Sequence, residues 1–184
     1  MRVLIVVLAL CALTIGCALA PATAPPTIPF DRDQYRLGIG DRIRIDVYGE
    51  NELSLEAQLE GSGLINYPLL GRIQAKGATA PELEKTLATL LSRGYLVDPK
   101  VRINIVHYRP IYIYGQVRKT GAYPYSEGLT IEKVMVLAGG LTPIGSLSKI
   151  FLVREGFAPD QRERVLLETP VFPGDTIYFD ESLF

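Results

Sequence analysis

The sequence has no tryptophan, one histidine and two cysteines, and neither sign of charge prevails. Each scarcity removes a class of function. Both cysteines, Cys11 and Cys17, stand near the N-terminus, so the rest of the chain can close no disulfide and offers no thiolate to a metal. With His107 as the sole imidazole, no Cys/His transition-metal site can be assembled. The 19 basic and 20 acidic residues are mixed along the chain and leave a net charge of −1. A phosphate backbone needs a clustered basic surface, so nucleic acid is not an expected partner, and anionic lipid has nothing to attract it. Motifs of catalysis are missing as well. There is no G-x-S-x-G elbow, phosphate-cradling loop or dinucleotide fingerprint. Gly38-x-Gly40 leads into Asp41 and a strand, where a phosphate site would need a helix N-terminus. Glu50 with Glu52, and Asp180 with Glu181, lie in polar loops that lack the apolar surroundings a glycosidase uses to raise one carboxyl pKa. His107 ends an alternating strand, where a structural role is expected. The reading is therefore of a non-enzyme with no catalytic residue, no metal and no cofactor.

What is present begins with a leader. Met1-Arg2 precedes an unbroken apolar run from Val3 to Leu13, which suits a signal-peptide core; a membrane-spanning helix takes about 20 residues. The following Thr14-Ile15-Gly16-Cys17 resembles the lipobox of bacterial lipoproteins, with Thr14 where that motif usually has leucine. The resemblance implies a signal peptide over residues 1–16 and a lipidated Cys17 as the new N-terminus. Cys11 follows the bulky Leu10 and belongs to the apolar core. Ordinary cleavage after Ala18-Leu19-Ala20 is the alternative, and it would leave Pro21 first. Residues 17–31 form a Pro/Ala-rich linker, uncharged from Ala18 to Pro29. Proline keeps such a segment extended at about 3.1 Å per residue, so it serves as a spacer or is a disordered remnant.

The body alternates short strands with two helices. Ile43, Ile45 and Val47 against Arg42, Arg44 and Asp46 describe a half-buried strand. Further extended stretches are expected over Leu53–Leu59 and Leu64–Pro68, the latter continuing through Leu69–Ile73. Thr79 and Glu82 form a capping box, with Pro81 in the first turn. Leu83, Leu87, Leu90 and Leu91 then make one helical face, which Gly94 ends. A strand follows from Val101 to His107. The second half opens with Ile111–Gly115 and pairs it with Ala122–Tyr125. Thr130 caps a second helix carrying Ile131, Val134, Met135 and Ala138, and Gly139-Gly140 stops it. Strands are expected over Ser148–Arg154, Arg164–Leu167 and Thr176–Phe179. The fold class is α+β: two small domains, each a few strands around one helix. Tyr112 and Tyr114 share one strand face, where they are either sugar contacts or ordinary cross-strand packing.

Certain segments carry a family resemblance. Tyr35–Asp41, Leu64–Gly71 and Tyr95–Val101 resemble the polysaccharide biosynthesis/export domain. Gly115–Val117, Gly121–Tyr123, Leu137–Pro143 and Pro173–Tyr178 resemble a soluble-ligand-binding β-grasp (SLBB) domain. In this order they are similar to outer-membrane polysaccharide export (OPX) proteins. Ser62 and Thr120 depart from the family's turn residues, where aspartate and proline are usual. The resemblance implies an export domain at 32–108 and an SLBB domain at 109–184. It also implies the short form of the family, because one SLBB unit is followed by Phe184 with no C-terminal amphipathic helix to make a pore. Expected partners are a polysaccharide chain, further copies of the chain as a homo-oligomer, an inner-membrane polysaccharide copolymerase and a separate outer-membrane channel. The expected location is the periplasm, anchored to the outer membrane by the N-terminal lipid. A soluble-glycan-binding module that recruits or signals is the alternative.

Overall fold

The computed structural model describes residues 30–182, so the leader, Cys17 and the linker through residue 29 lie outside the described residues. In the first unit Tyr35 and Leu37 join the core, and the chain turns at Asp41 into strand β1, Arg42–Val47. A single 3-10 turn at Asn51–Leu53 reverses the chain into β2, Leu55–Gln58. Next come a hairpin of β3, Leu64–Tyr67, and β4, Gly71–Gln74, then helix α1, Ala80–Leu91, and strand β5, Val101–His107. β1 is the centre of an antiparallel three-stranded sheet in the order β2-β1-β5. Period-two alternation sends Ile43, Ile45 and Val47 inward, where they meet Ile103 and the Leu83, Leu87 and Leu91 stripe of α1. The capping box forms in full. Glu82 N–H donates to the Thr79 hydroxyl at 3.3 Å, and Thr79 N–H donates to Glu82 Oε2 at 2.9 Å.

The expectation that Leu69–Ile73 continues the preceding strand is overturned. The chain reverses over Pro68–Leu70, and β4 pairs back on β3 with Tyr67 opposite Gly71. Leu69 takes a φ of 65° at this tip, a conformation with no signature in a run of leucines. Tyr67 is buried and its hydroxyl donates to Leu53 O at 2.7 Å, tying the hairpin to the sheet.

The second unit contains β6, Ile111–Gly115; β7, Gly121–Tyr123; α2, Ile131–Leu137; β8, Gly145–Val153; β9, Glu163–Arg164; and β10, Thr176–Glu181. They form one sheet in the order β7-β6-β10-β8-β9, in which only β6 and β10 are parallel. A parallel pair needs a long crossover, and here the whole segment containing α2, β8 and β9 supplies it. Its core is Ile111, Ile113, Ile150, Leu152, Ile177 and Phe179 against Ile131, Val134 and Ala138 of the helical segment. α2 ends as expected: Gly139 N–H bonds Val136 O and Gly140 N–H bonds Met135 O, each at 2.9 Å, the paired bonds of a Schellman motif.

Two strand expectations change here. β8 starts three residues earlier than Ser148. The strand expected over Arg164–Leu167 stops at Arg164, because Leu166–Thr169 folds into a turn. That turn has a use. The Leu167 and Thr169 carbonyls accept from Glu132 and Ile131 N–H at 2.9 and 3.1 Å, satisfying amides that the first turn of α2 leaves free.

Candidate functional site

Each unit launches a strand from a Gly-Asp turn, and the two turns share one construction. Asp41 N–H bonds Gly38 O while Gly38 N–H bonds Asp41 Oδ2; Asp175 N–H bonds Phe172 O while Phe172 N–H bonds Asp175 Oδ2. Both aspartates are buried, at 0% and 1% exposure. A carboxylate removed from water needs donors all round it, and each receives an arginine. Arg154 Nη1 reaches Asp175 at 2.5 Å. Asp41 accepts from the Tyr35 hydroxyl at 2.8 Å, from Arg109 N–H at 2.7 Å and from Arg109 Nη1 at 2.9 Å.

Arg109 joins the two halves. Its guanidinium bonds Asp41 of the first unit and pairs with Glu155 of the second through Nη2. Gly38 and Gly174 lie against it, one from each Gly-Asp turn. A β-carbon on Gly38 would overlap the guanidinium, and one on Gly174 would fall 2.9 Å from Arg109 Nε and 2.7 Å from Glu155 Oε2. Beside this clasp, Phe30, Tyr35 and Tyr108 pack against Tyr125 and Phe172, with ring centroids 5.2–6.1 Å apart. Such pairs contribute about 0.5–1.5 kcal/mol each beyond area burial. Phe30, which the sequence places in the linker, is therefore packed between the units. A second tie is more exposed: Arg32 pairs with Glu127 at 2.5 Å, and the Tyr108 hydroxyl donates to the same carboxylate at 3.0 Å.

Burial pushes the Asp175 carboxyl up to about 6 from 3.8, against the opposing pull of Arg154 and the Phe172 N–H. A carboxyl with a raised folded-state pKa binds its proton more tightly folded than unfolded. Its contribution to stability is full below about 3.8 and is lost as pH rises through about 6. Relative to Asp175→Asn, which cannot titrate, the wild-type protein should therefore gain thermal stability on going from pH 7 to pH 5. A melting-temperature difference that stays flat across that range contradicts it.

The sugar-contact candidates lie elsewhere. Tyr112 and Tyr114 are 39% and 48% exposed on the outer face of the five-stranded sheet, opposite the core. Tyr114 sits across from Tyr178 in the parallel pair, and their rings stack at 5.6 Å and 19°. The same register puts Phe151 beside Tyr178, with the Arg162 guanidinium 4.7 Å above the Phe151 ring. One face of Tyr114 is thus used in cross-strand packing, while Tyr112 and Tyr114 both stay exposed. His107 is exposed at the end of β5, opposite Arg42, so it fills no core position. Asp41, Asp175 and Arg109 were not singled out from the sequence. The available signal was the recurrence of Gly-Asp before an alternating strand in both halves, Gly40-Asp41 and Gly174-Asp175.

Comparison with known proteins divides the chain at this same clasp. The profile of the polysaccharide biosynthesis/export protein family matches residues 31–106, and that of the SLBB domain matches residues 110–162. Residues 31–106 are a polysaccharide biosynthesis/export domain and residues 110–162 an SLBB domain. Arg109 falls between the two matched segments, and β10, the central strand of the second sheet, lies beyond both. Among curated relatives, the exopolysaccharide production protein ExoF of Rhizobium meliloti is 31% identical over 121 residues, covering 59% of this chain and 29% of that protein. The EPS I polysaccharide export outer membrane protein EpsA of Ralstonia nicotianae is 26% identical over 149 residues, covering 66% and 39%. The polysialic acid transport protein KpsD of Escherichia coli is 24% identical over 124 residues, covering 66% and 22%. The chain thus spans 22–39% of the length of these relatives.

Proposed function

We propose that the chain is a non-catalytic component of an exopolysaccharide or capsule export machine, acting in the periplasm at the outer membrane as an oligomeric conduit or adaptor. The observation that carries this reading is the tandem match to an export domain and an SLBB domain. The names of the relatives, which describe production, export and transport of polysaccharides, support it. In this role the protein makes and breaks no bond. It confines a hydrated polymer beside polar side chains, taking it from an inner-membrane copolymerase and handing it to a separate outer-membrane channel. Lipidated Cys17 holds it at the membrane, since several acyl chains anchor firmly where one does not. Tyr112 and Tyr114 contact the glycan through their hydroxyls and their remaining ring surface.

Mass measurement of the purified mature protein tests the assembly. A multimer is expected. A strict monomer at high concentration that binds short oligosaccharides tightly would favour a glycan-binding module and sink the conduit. Deletion of the gene should abolish surface polysaccharide, and Cys17→Ala should both release the protein from the membrane fraction and impair secretion. Unchanged fractionation of Cys17→Ala would remove the anchor from the reading.

A further inference from the structure

The outer face of the β2-β1-β5 sheet is open to solvent, and its register arranges polar side chains in rungs. Arg42 lies between Gln58 and His107, Arg44 between Glu56 and Asn104, and Asp46 opposite Arg102. Successive rungs on one face of a strand are about 7 Å apart. Each of the three rungs thus carries one guanidinium: Arg42, Arg44 and Arg102. Every cation in these three strands is arginine, although an exposed sheet face needs only a solvated charge and lysine would serve equally. Arg44 is engaged by Asp46 at 3.0 Å and lies 3.9 Å from Glu56. Arg42 and Arg102 form no ion pair with any described residue, so their planar forks face outward unused. The third rung opens onto a cleft of about 760 Å³ lined by Asp46, Tyr48, Asn51, Glu84, Lys100 and Arg102, in which Glu84 accepts from Ile103 N–H at 2.7 Å and Lys100 pairs with Asp98 at 2.9 Å. Tyr48 stands 88% exposed at this cleft, an aromatic ring that no core claims.

We propose that this face and cleft form a binding site for an acidic polysaccharide, with carboxylate groups along the polymer meeting the three guanidinium rungs and a sugar unit seated in the cleft against Tyr48. Arginine binds carboxylates through two parallel N–H bonds, which fixes orientation as well as charge. Hydroxyl-rich sugars find donors and acceptors in Gln58, Asn104 and Asn51. The site is separate from the tyrosine face of the second sheet. The proposal rests on the export reading for its polymer, but the interaction itself can be measured without secretion.

The test is binding of the full mature protein to polygalacturonate and, separately, to dextran, which has the same hydroxyl chemistry without carboxylates. Wild-type protein should bind polygalacturonate, more weakly as salt increases, and dextran much less. The triple variant Arg42→Gln/Arg44→Gln/Arg102→Gln should bind polygalacturonate on the order of tenfold more weakly, as expected from losing three exposed charge pairs. Because all three side chains are exposed, its melting temperature should match wild type. A control, Lys85→Gln/Arg93→Gln/Lys119→Gln, removes the same charge from other exposed positions and should retain binding. Tyr48→Ala should weaken binding of a short galacturonate oligomer severalfold. Equal loss in the control triple, equal affinity for dextran, or no binding of polygalacturonate by wild type would each overturn the site. If binding depends on the three arginines but a deletion strain still secretes, the export reading fails and the site stands. If deletion abolishes secretion while the triple variant binds and secretes as wild type, the site fails and the export reading stands.

Discussion

Replacing Arg109 with alanine is expected to destabilise the protein by about 3–5 kcal/mol, the usual consequence of leaving a buried charge without its partner. Asp41 is fully buried and would keep its bonds from Tyr35, Gly38 and the backbone of residue 109, but no counter-charge would remain beside it. The Tyr35 hydroxyl would also lose its donor at 2.6 Å. Urea unfolding reads the effect as a lower midpoint. Arg109→Lys should recover little of it, because one ammonium cannot reach Asp41 and Glu155 on opposite sides of the guanidinium. Glu155→Gln is expected to cost under about 1 kcal/mol, since that carboxylate is partly exposed and water screens it. This ordering separates a buried clasp from a surface pair. A cost below about 1 kcal/mol for Arg109→Ala would show that the aromatic cluster and the Arg32–Glu127 tie join the domains without the clasp.

Gly115→Ala is expected to be nearly as damaging, at roughly 2–5 kcal/mol, from left-handed strain and overpacking together. Gly115 ends β6 with a φ of 91°, and a β-carbon there would overlap the carbonyl oxygen of Phe179 on the neighbouring central strand. That carbonyl accepts from Gln116 N–H at 2.6 Å, so it cannot move aside without loosening the parallel pair. Thermal unfolding of Gly115→Ala compared with Gly121→Ala provides the check. The second glycine also has positive φ, at 143°, but an added β-carbon meets nothing within 4 Å. Similar losses at both sites would mean that strain alone matters and the contact with Phe179 does not.

Local pattern made much of the fold legible. The alternation of β1 and β5, the leucine stripe of α1, its capping box and the Gly-Gly stop of α2 are all set by residues within a few positions of one another. The failures have the opposite character. The reversal at Leu69 relies on an unusual backbone conformation in a residue that does not advertise it. The truncation of the strand at Arg164 follows from a turn whose carbonyls cap a helix more than thirty residues earlier in the chain. The spacing of Tyr112 and Tyr114 puts them on one strand face, but only the structure shows that this face is exposed and that Tyr178 stacks on Tyr114.

The sequence by itself determined the fold class, most of the elements and the two domain types, because periodicity, capping and short motifs are local and survive without knowledge of contacts. Only the tertiary structure decided how the halves are joined and which polar groups are buried. β10 enters between β6 and β8 from the far end of the chain, and Arg109 meets Asp41 and Glu155 across separations of 68 and 46 residues. Whether an aspartate after a glycine faces water or an arginine depends on what the rest of the chain packs around it. The energy of a charge depends on that burial, and burial is a property of the whole fold.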